Sequence, residues 1–204
     1  MGWYARTLLP IIIDRGMRNS VMTEFRPKIV PLASKVVLEV GIGSGLNIPY
    51  YRDIERLYGL EPSAELLAKA ALQTEAVRFP VDFLEAPAEA IPLADDSVDT
   101  VLSSWTLCTI PDVRAALKEM RRVLRPNGQF IFVEHGKSPE PNVQKWQERL
   151  TPVLTAIAGC HVNRKVDDLI AEAGFEIATL ETRYLKGPKF ISFHYIGQAG
   201  AGKP

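Results

Sequence analysis

Short apolar runs alternate with helix-like stretches over residues 35–135 of the chain. Five of these runs predict β-strands, which cover residues 36–40, 56–60, 77–85, 98–105 and 129–135. Two of the stretches between them begin at residues that can cap a helix, Ser63 and Asp112. Strands that alternate with helices favour βαβ crossovers. The pattern therefore predicts an α/β fold with a doubly wound, parallel sheet.

Both ends of the chain depart from this alternation. Residues 175–185 and 189–197 are strand-like runs that a short turn joins without a helix, so they predict an antiparallel hairpin. Residues 1–34 predict an N-terminal helical segment that acts as a lid or cap, or that makes a transient contact with a membrane surface. The small residues of 198–204 predict a flexible tail. The main domain is expected to cover residues 35–197.

The composition fits one globular domain. Of the 204 residues, 47% are hydrophobic and 24% are charged, which is enough apolar material for a single core. Lysine plus arginine and aspartate plus glutamate both number 24, so the charge balance gives no general attraction to nucleic acid. The apolar stretch at residues 8–13 is too short to span a membrane. Because two cysteines without a CxxC spacing fit a reducing compartment, we expect a cytoplasmic protein.

A glycine-rich turn, GIGSG, follows the first predicted strand. Several classes of nucleotide cofactor bind at such turns. The turn lacks the lysine of a nucleoside triphosphate site, and Leu46 stands where a dinucleotide fingerprint has its third glycine. Glu61 lies 20 residues after Gly41, where a carboxylate can accept hydrogen bonds from both ribose hydroxyls. These residues favour an adenosine cofactor and leave a nicotinamide dinucleotide as an alternative.

Four motifs follow one another between residues 36 and 135: LEVGIGSG, YGLEPS, PAEAIPLADDSVDTVLSS and LKEMRRVLRPNGQFIFVEH. In order and spacing they resemble the motifs of class I S-adenosylmethionine-dependent methyltransferases with a type 11 methyltransferase domain. The resemblance implies a Rossmann-like fold with helices on both faces of a seven-stranded, mostly parallel sheet that ends in an antiparallel hairpin. It also implies S-adenosyl-L-methionine as the cofactor.

The same resemblance implies which residues contact the cofactor. The glycines would let the backbone approach the methionine part, and Glu61 would take the ribose hydroxyls. The full set is Glu39, Gly41, Gly43, Gly45, Asn47, Glu61, Pro62, Ala88, Glu89, Ser104 and Trp105. At Pro87 the chain departs from the family, which often has there an aspartate that bonds adenine. Backbone atoms or Glu89 are therefore expected to recognise adenine.

A methyl acceptor is expected above the carboxyl ends of the fourth and fifth strands. Leu107, Cys108 and Trp146 are candidates for an apolar wall around this acceptor. His135 and His161 are the candidate catalytic residues, because either can take a proton from it. The spacing of the cysteines and histidines does not match the common zinc patterns, so no metal is expected.

LCTIPD, EHG and GCHVNR extend the resemblance to a branch of methyltransferase-like proteins that includes alkyl thiol S-methyltransferases. We therefore expect methyl transfer to a small hydrophobic acceptor. A thiol is favoured, because a thiol with a pKa near ~8.5 is partly ionised at neutral pH. The alternatives are a phosphatidylethanolamine-type lipid amine, another nitrogen or oxygen acceptor, an S-adenosylmethionine-binding regulatory protein without turnover, and an NAD-binding oxidoreductase.

Overall fold

The computed structural model describes residues 14–202 and contains a seven-stranded sheet. The strands are β1 (Lys35–Val40), β2 (Ile54–Leu60), β3 (Val81–Leu84), β4 (Val98–Ser104), β5 (Leu124–His135), β6 (Glu176–Tyr184) and β7 (Phe193–Gly200). The helices are α1 (Ser20–Ile29), α2 (Ala64–Ala71), α3 (Val113–Val123), α4 (Pro141–Ala158), α5 (Val166–Glu172) and α6 (Lys189–Ser192).

The strands lie in the order β3-β2-β1-β4-β5-β7-β6. β1 to β5 run parallel, and β7 runs antiparallel to both β5 and β6. This confirms the predicted mostly parallel sheet with an antiparallel terminal hairpin. The chain passes from β1 to β2 on one side and later returns to β4 on the other, so the winding direction reverses between β1 and β4. At such a reversal a crevice opens at the carboxyl ends of the strands.

Both faces of the sheet are covered, which confirms helices on both sides. Along β5, Phe130 and Phe132 belong to one apolar cluster, whereas Ile131 and Val133 belong to the other. All four side chains are buried. A strand that is covered on both faces needs apolar residues at successive positions, which explains the continuous apolar runs in the sequence.

The predicted helix caps are confirmed. The Ser63 side chain accepts a hydrogen bond from the backbone N–H of Leu66 at the start of α2. Asp112 accepts one from the backbone N–H of Ala115 at the start of α3. Each cap satisfies a backbone donor that the first helical turn leaves free.

Some boundaries differ from the prediction. β3 covers only residues 81–84 of the expected 77–85, and it follows Pro80, which cannot donate a ladder hydrogen bond. Residues 189–192 form the short helix α6 instead of the start of the last strand. Residues 198–200 pair with residues 129–131 of β5. The flexible tail predicted from residue 198 is therefore wrong for these three residues, because the sheet holds them.

The predicted N-terminal segment is described from residue 14 onward. Its proposed membrane-contacting part falls on residues 1–13, which lie outside the described residues. Helix α1 packs against the sheet through Phe25 and Ile29. Within residues 14–202, no helix has both the length and the apolar character that a membrane span requires.

Candidate active site

The glycine-rich turn lies at the carboxyl end of β1, in the crevice between β1 and β4. Gly41, Gly43 and Gly45 all have positive φ angles, of 72°, 55° and 77°. An added Cβ on Gly41 would lie 2.3 Å from the Thr106 side chain, and one on Gly45 would lie 2.9 Å from the Cα atom of Ala70. A Cβ on Gly43 would meet no heavy atom within 4 Å. The turn is therefore closely packed at Gly41 and Gly45 and presents an open backbone at Gly43.

Asn47 joins this turn to the neighbouring strands and to α1. Its Nδ2 donates hydrogen bonds to Glu39 Oε1 at 2.7 Å and to Ser104 Oγ at 3.0 Å. Its Oδ1 accepts a hydrogen bond from Nε of the buried Arg26 at 3.1 Å. Three of the residues that the family resemblance assigned to the cofactor, Glu39, Asn47 and Ser104, therefore form one buried hydrogen-bonded group.

Glu39 is a buried carboxylic acid at the end of β1. Its second oxygen, Oε2, accepts a hydrogen bond from the Tyr51 hydroxyl at 2.7 Å. Burial raises the pKa of Glu39 to about 7, although the bonds from Tyr51 and Asn47 and the charge of Arg26 oppose this shift. A cationic group bound beside Glu39 would favour its ionised form, which suits the ammonium group of a methionine moiety.

Glu61 connects the second strand to the glycine-rich turn. One carboxylate oxygen accepts a hydrogen bond from the backbone N–H of Gly43 at 3.3 Å, and the other accepts one from Ser63 at 3.1 Å. Burial raises the pKa of Glu61, and these two bonds oppose the shift. Since each carboxylate oxygen can accept more than one hydrogen bond, both retain capacity for ribose hydroxyls. The following Pro62 is exposed.

The expected adenine side of the site contains Ala88, which is buried, and Glu89. Glu89 Oε1 accepts a hydrogen bond from the backbone N–H of Asp112 at 3.1 Å. This bond anchors the turn of residues 87–90 to the start of α3. The structure thus gives Glu89 an anchoring contact. Of the two expected ways to recognise adenine, the other is the backbone beside Ala88.

Trp105 marks the carboxyl end of β4 with an unusual conformation. Its φ angle is 54°, which is rare for a bulky residue, and a backbone hydrogen bond to the Val133 carbonyl, 2.8 Å long, holds it there. Its buried indole Nε1 has no hydrogen-bond partner among residues 14–202. Backbone strain beside an unpaired buried donor is typical of a ligand-binding position.

On the acceptor side, Leu107, Cys108 and His135 are buried, as a wall around a small molecule requires. His135 Nε2 lies 3.3 Å from Sγ of Cys160. The Cys108 thiol contacts the Trp105 carbonyl at 3.8 Å. The predicted residues Cys108 and His135 therefore adjoin both each other and the strained end of β4.

The thiols and the imidazole influence one another. The pairing with Cys108 and then the contact with His135 lower the pKa of Cys160, although burial opposes this shift. The same thiol pairing and burial raise the pKa of Cys108. Burial opposes the charged form of His135, but the contact with Cys160 and the charge of Glu134 outweigh it, so its pKa is raised. Cys160 is therefore the thiol of the pair that ionises first.

Two other predicted acceptor residues, His161 and Trp146, lie outside the contact between His135 and Cys160. The backbone N–H and the Nδ1 atom of His161 both contact the Cys108 carbonyl, at 2.8 Å and 3.1 Å. His161 therefore joins two loops. Trp146 is 57% exposed, because α4 turns Val143 and Gln147 toward the protein interior. Arg149 lies over the Trp146 ring, so the structure does not bring this side chain into the buried group of Leu107 and Cys108, and its role at the acceptor stays a prediction.

Three residues of the site were not predicted: Arg26, Tyr51 and Cys160. From the sequence, Cys160 enters only a candidate zinc group with Cys108, His135 and His161, which the spacing argues against, so it has no predicted role. The structure brings it to Cys108 and His135. Arg26 and Tyr51 contact the site through folding of distant segments, so nothing in their local sequence marks them.

The fold and the crevice at the reversal of strand order define a cofactor-binding α/β protein. A solved structure of an S-adenosylmethionine-dependent methyltransferase from Thermotoga maritima has the same fold. Its TM-score is 0.66 at 20% sequence identity, and the match covers 96% of this chain and 99% of that one. A family model described as a methyltransferase domain matches residues 38–132.

Curated relatives agree with this class. Thiol S-methyltransferase TMT1B of Rattus norvegicus is 31% identical over 151 residues, which are 71% of this chain and 62% of the relative. Phosphatidylethanolamine N-methyltransferase of Cereibacter sphaeroides is 30% identical over 146 residues, which are 69% of this chain and 70% of the relative. The chain belongs to the class I S-adenosylmethionine-dependent methyltransferases, and S-adenosylmethionine is the cofactor of this family. It spans less than two thirds of the TMT1B relative.

Proposed function

We propose that this protein transfers the methyl group of S-adenosylmethionine to the sulfur of a small, apolar thiol. The observation that carries the proposal is the contact of the buried His135 with the half-buried Cys160 beside the strained end of β4. Methyl transfer to sulfur mainly needs alignment, exclusion of water and an ionised acceptor. An apolar wall aligns the acceptor and excludes water, and a buried imidazole beside it can take the proton that ionises the acceptor. The TMT1B relative adds support for sulfur.

The residues of the crevice fit the cofactor. Gly43 offers an open backbone, Glu61 has free acceptor capacity, and the indole of Trp105 has an unused donor. When bound, the cofactor supplies an electrophilic methyl group on a sulfonium. In this proposal Glu39 attracts the ammonium group, Glu61 binds the ribose hydroxyls and Trp105 donates toward the methionine end.

His135 is proposed to accept the proton of the acceptor thiol at Nε2 when the acceptor takes the place of Cys160 at that atom, and the bond with the backbone of Ile191 holds the ring in position. His161 is proposed as a positioning residue, because it joins the loop of Cys108 to the loop of Cys160. Leu107 and Cys108 exclude water from the acceptor. Because the cluster needs reduced thiols, a cytoplasmic location belongs to the same proposal.

The test is a transfer assay with labelled S-adenosylmethionine and a panel of alkyl thiols, amines, phenols and phosphatidylethanolamine vesicles. We expect a labelled thioether from the alkyl thiols. Transfer to amines or to the lipid alone would overturn the preference for sulfur, and the phosphatidylethanolamine N-methyltransferase relative makes the lipid the main rival acceptor. Binding of the cofactor with no transfer to any acceptor or cell extract would favour a regulatory protein.

Substitution of His135 by glutamine separates chemistry from binding. We expect kcat to fall by about a hundredfold or more, the scale of a lost general base. The affinity for S-adenosylhomocysteine should stay the same, because His135 lies on the acceptor side. Unchanged turnover would remove His135 from the proposal and leave the acceptor's own acidity as the source of the thiolate.

A further inference from the structure

Cys108, His135 and Cys160 come from three separate segments and form a cluster of soft donor atoms. Their ligand atoms all lie within 4.8 Å of one another, and Nε2 of His135 is 3.3 Å from Sγ of Cys160. In a tetrahedral zinc site, bond lengths of about 2.3 Å to sulfur and about 2.0 Å to nitrogen place such a pair about 3.5 Å apart. The His135–Cys160 pair therefore already has the spacing of two zinc ligands.

The surroundings hold the three side chains in place. The two hydrogen bonds from His161 to the Cys108 carbonyl fix the loop of Cys108 to the loop of Cys160. The His135 ring also has a hydrogen bond with the backbone of Ile191. A metal-bound histidine usually has such a bond on its other nitrogen, where it orients the ring. The structure thus supplies the second layer of contacts that a metal ligand needs.

The charges also fit a divalent cation. Two thiolates and a neutral imidazole offset a charge of two, so the buried site would carry no net charge of its own. The charge of Glu134 raises the pKa of Cys108 and the charge of Arg164 lowers it, so the two neighbouring charges oppose each other. Two sulfurs and one imidazole nitrogen prefer Zn²⁺ over Mg²⁺ or Ca²⁺, which prefer oxygen ligands.

We propose that Cys108, His135 and Cys160 bind one Zn²⁺ ion through two thiolate sulfurs and one imidazole nitrogen. The thiol protons pass to solvent when the metal binds, and a fourth position is left for water or for the sulfur of a bound thiol. The three ligands lie 27 and 25 residues apart, from 108 to 135 and from 135 to 160, which is why the sequence offers no zinc pattern. The proposal goes beyond methyl transfer and its test does not depend on that activity, although both proposals use Nε2 of His135.

Cobalt(II) is the probe for this site, because it takes the place of Zn²⁺ in tetrahedral sites and its absorption reports thiolate ligands. The reduced full-length protein is titrated with Co²⁺ without cofactor or acceptor, and Zn²⁺ is then added. We expect a thiolate-to-cobalt charge-transfer band that saturates at one equivalent and disappears as Zn²⁺ displaces the cobalt. Absence of the band would overturn the proposal.

Variants assign the ligands. Cys108→Ser and Cys160→Ser should each weaken the band and lower the affinity for Zn²⁺ by about tenfold or more, a loss that even an outer contact of a metal site can cause. His194→Asn is the matched control, because His194 lies 6.2 Å from His135 between ring centres and is outside the cluster. Its band should be unchanged. An unchanged band in both cysteine variants would also overturn the proposal.

A measurement on the unsubstituted protein covers the case in which a variant fails to fold. Both cysteines are free thiols, and the described chain pairs neither in a disulfide. Under mild denaturation, bound Zn²⁺ should slow the reaction of both thiols with a disulfide reagent. Equal reaction rates with and without Zn²⁺ would contradict the site. Because no step of this test involves methyl transfer, its failure is distinct from failure of the proposed function.

Discussion

Gly43 is the residue at which the backbone of the glycine-rich turn is open. Its φ angle of 55° and the free space around an added Cβ show that the turn conformation, and not packing, requires glycine there. Glu61 accepts a hydrogen bond from its backbone N–H. A side chain at this position would therefore strain the backbone and would project into the space where the cofactor is expected.

We predict that Gly43→Val abolishes binding of S-adenosylhomocysteine, measured by calorimetry, while the fold is kept. Strain in the left-handed region adds about 1–2 kcal/mol, and the valine side chain fills the open side of the turn. Gly200→Val is the control, since an added Cβ there also meets nothing within 4 Å and Gly200 pairs with Gln129, away from the turn. Binding by the Gly43 variant at the original affinity would contradict this account of the turn.

Glu39 gives a prediction about pH. Its pKa is about 7 in the folded protein and 4.5 in the reference state, so the folded protein holds a proton that the unfolded chain releases between these values. The free energy of unfolding should therefore fall as the pH rises from about 4.5 to about 7, by up to about 3 kcal/mol. In urea denaturation at a series of pH values, Glu39→Gln should lose its own share of this fall, while the share of Glu134, which is also buried with a pKa raised to about 7, remains.

Tyr51→Phe provides a directional check on the same residue. The Tyr51 hydroxyl donates to Glu39 and favours its charged form. Its removal should raise the pKa of Glu39 further, so the fall in stability should continue to a higher pH and become larger in total. A fall that ends at the same pH as in the unsubstituted protein would show that Glu39 is not the group that titrates.

At the scale of elements, one side chain of α4 joins several connecting segments. Gln147 is fully buried, and its Nε2 donates hydrogen bonds to the carbonyls of Gly136, Val162 and Phe190. Its Oε1 accepts one from the backbone N–H of Ser138. These contacts fix the segment that follows β5 and the segment that follows Cys160, which lie on the two sides of the acceptor region.

We predict that Gln147→Leu lowers the free energy of unfolding by about 2–4 kcal/mol, because it leaves several buried backbone groups without partners. Gln144→Ala is the control, since Gln144 donates to the single carbonyl of Ser138 and should cost at most about 1 kcal/mol. Equal losses in the free energy of unfolding for the two variants, measured by chemical denaturation, would show that the hydrogen bonds of the buried Gln147 amide do not stabilise the fold.

The elements themselves were largely predictable from the sequence. Periodicity over a few residues predicts strands and helices, and local hydrogen bonds at Ser63 and Asp112 begin α2 and α3. The helical turn at residues 189–192 and the pairing of residues 198–200 were missed. Their conformation depends on contacts with β5 and with the turn after β6, which no local pattern reports.

At the scale of the whole molecule, the acceptor cluster and the cofactor crevice meet at Trp105. The ring of His194 lies 6.3 Å from Trp105 and 6.2 Å from His135, between ring centres. Burial lowers the pKa of His194 to about 4, so it is neutral at physiological pH. The uncharged His194 ring thus lies near both Trp105 and His135, and His135 is the ring that contacts Cys160.

If Zn²⁺ binds to the proposed cluster of Cys108, His135 and Cys160, it should inhibit methyl transfer. A metal on Nε2 of His135 takes the lone pair that is proposed to accept the proton of the thiol. The assay is thiol methylation at a buffered free Zn²⁺ concentration, and a chelator should restore the rate. Activation by Zn²⁺ would instead show that the metal, and not the imidazole, ionises the acceptor thiol.

The sequence by itself determined the order of strands and helices, the glycine-rich turn and the resemblance to methyltransferases, because these depend on local periodicity and on short motifs. Only the tertiary structure decided that Arg26 bonds Asn47, that Trp146 faces outward and that Cys160 meets Cys108 and His135. Each of these contacts joins distant segments, and its geometry depends on how the strands cross over in the sheet. The predicted cofactor residues therefore follow from short motifs, whereas the contacts among the predicted acceptor residues depend on the folded chain.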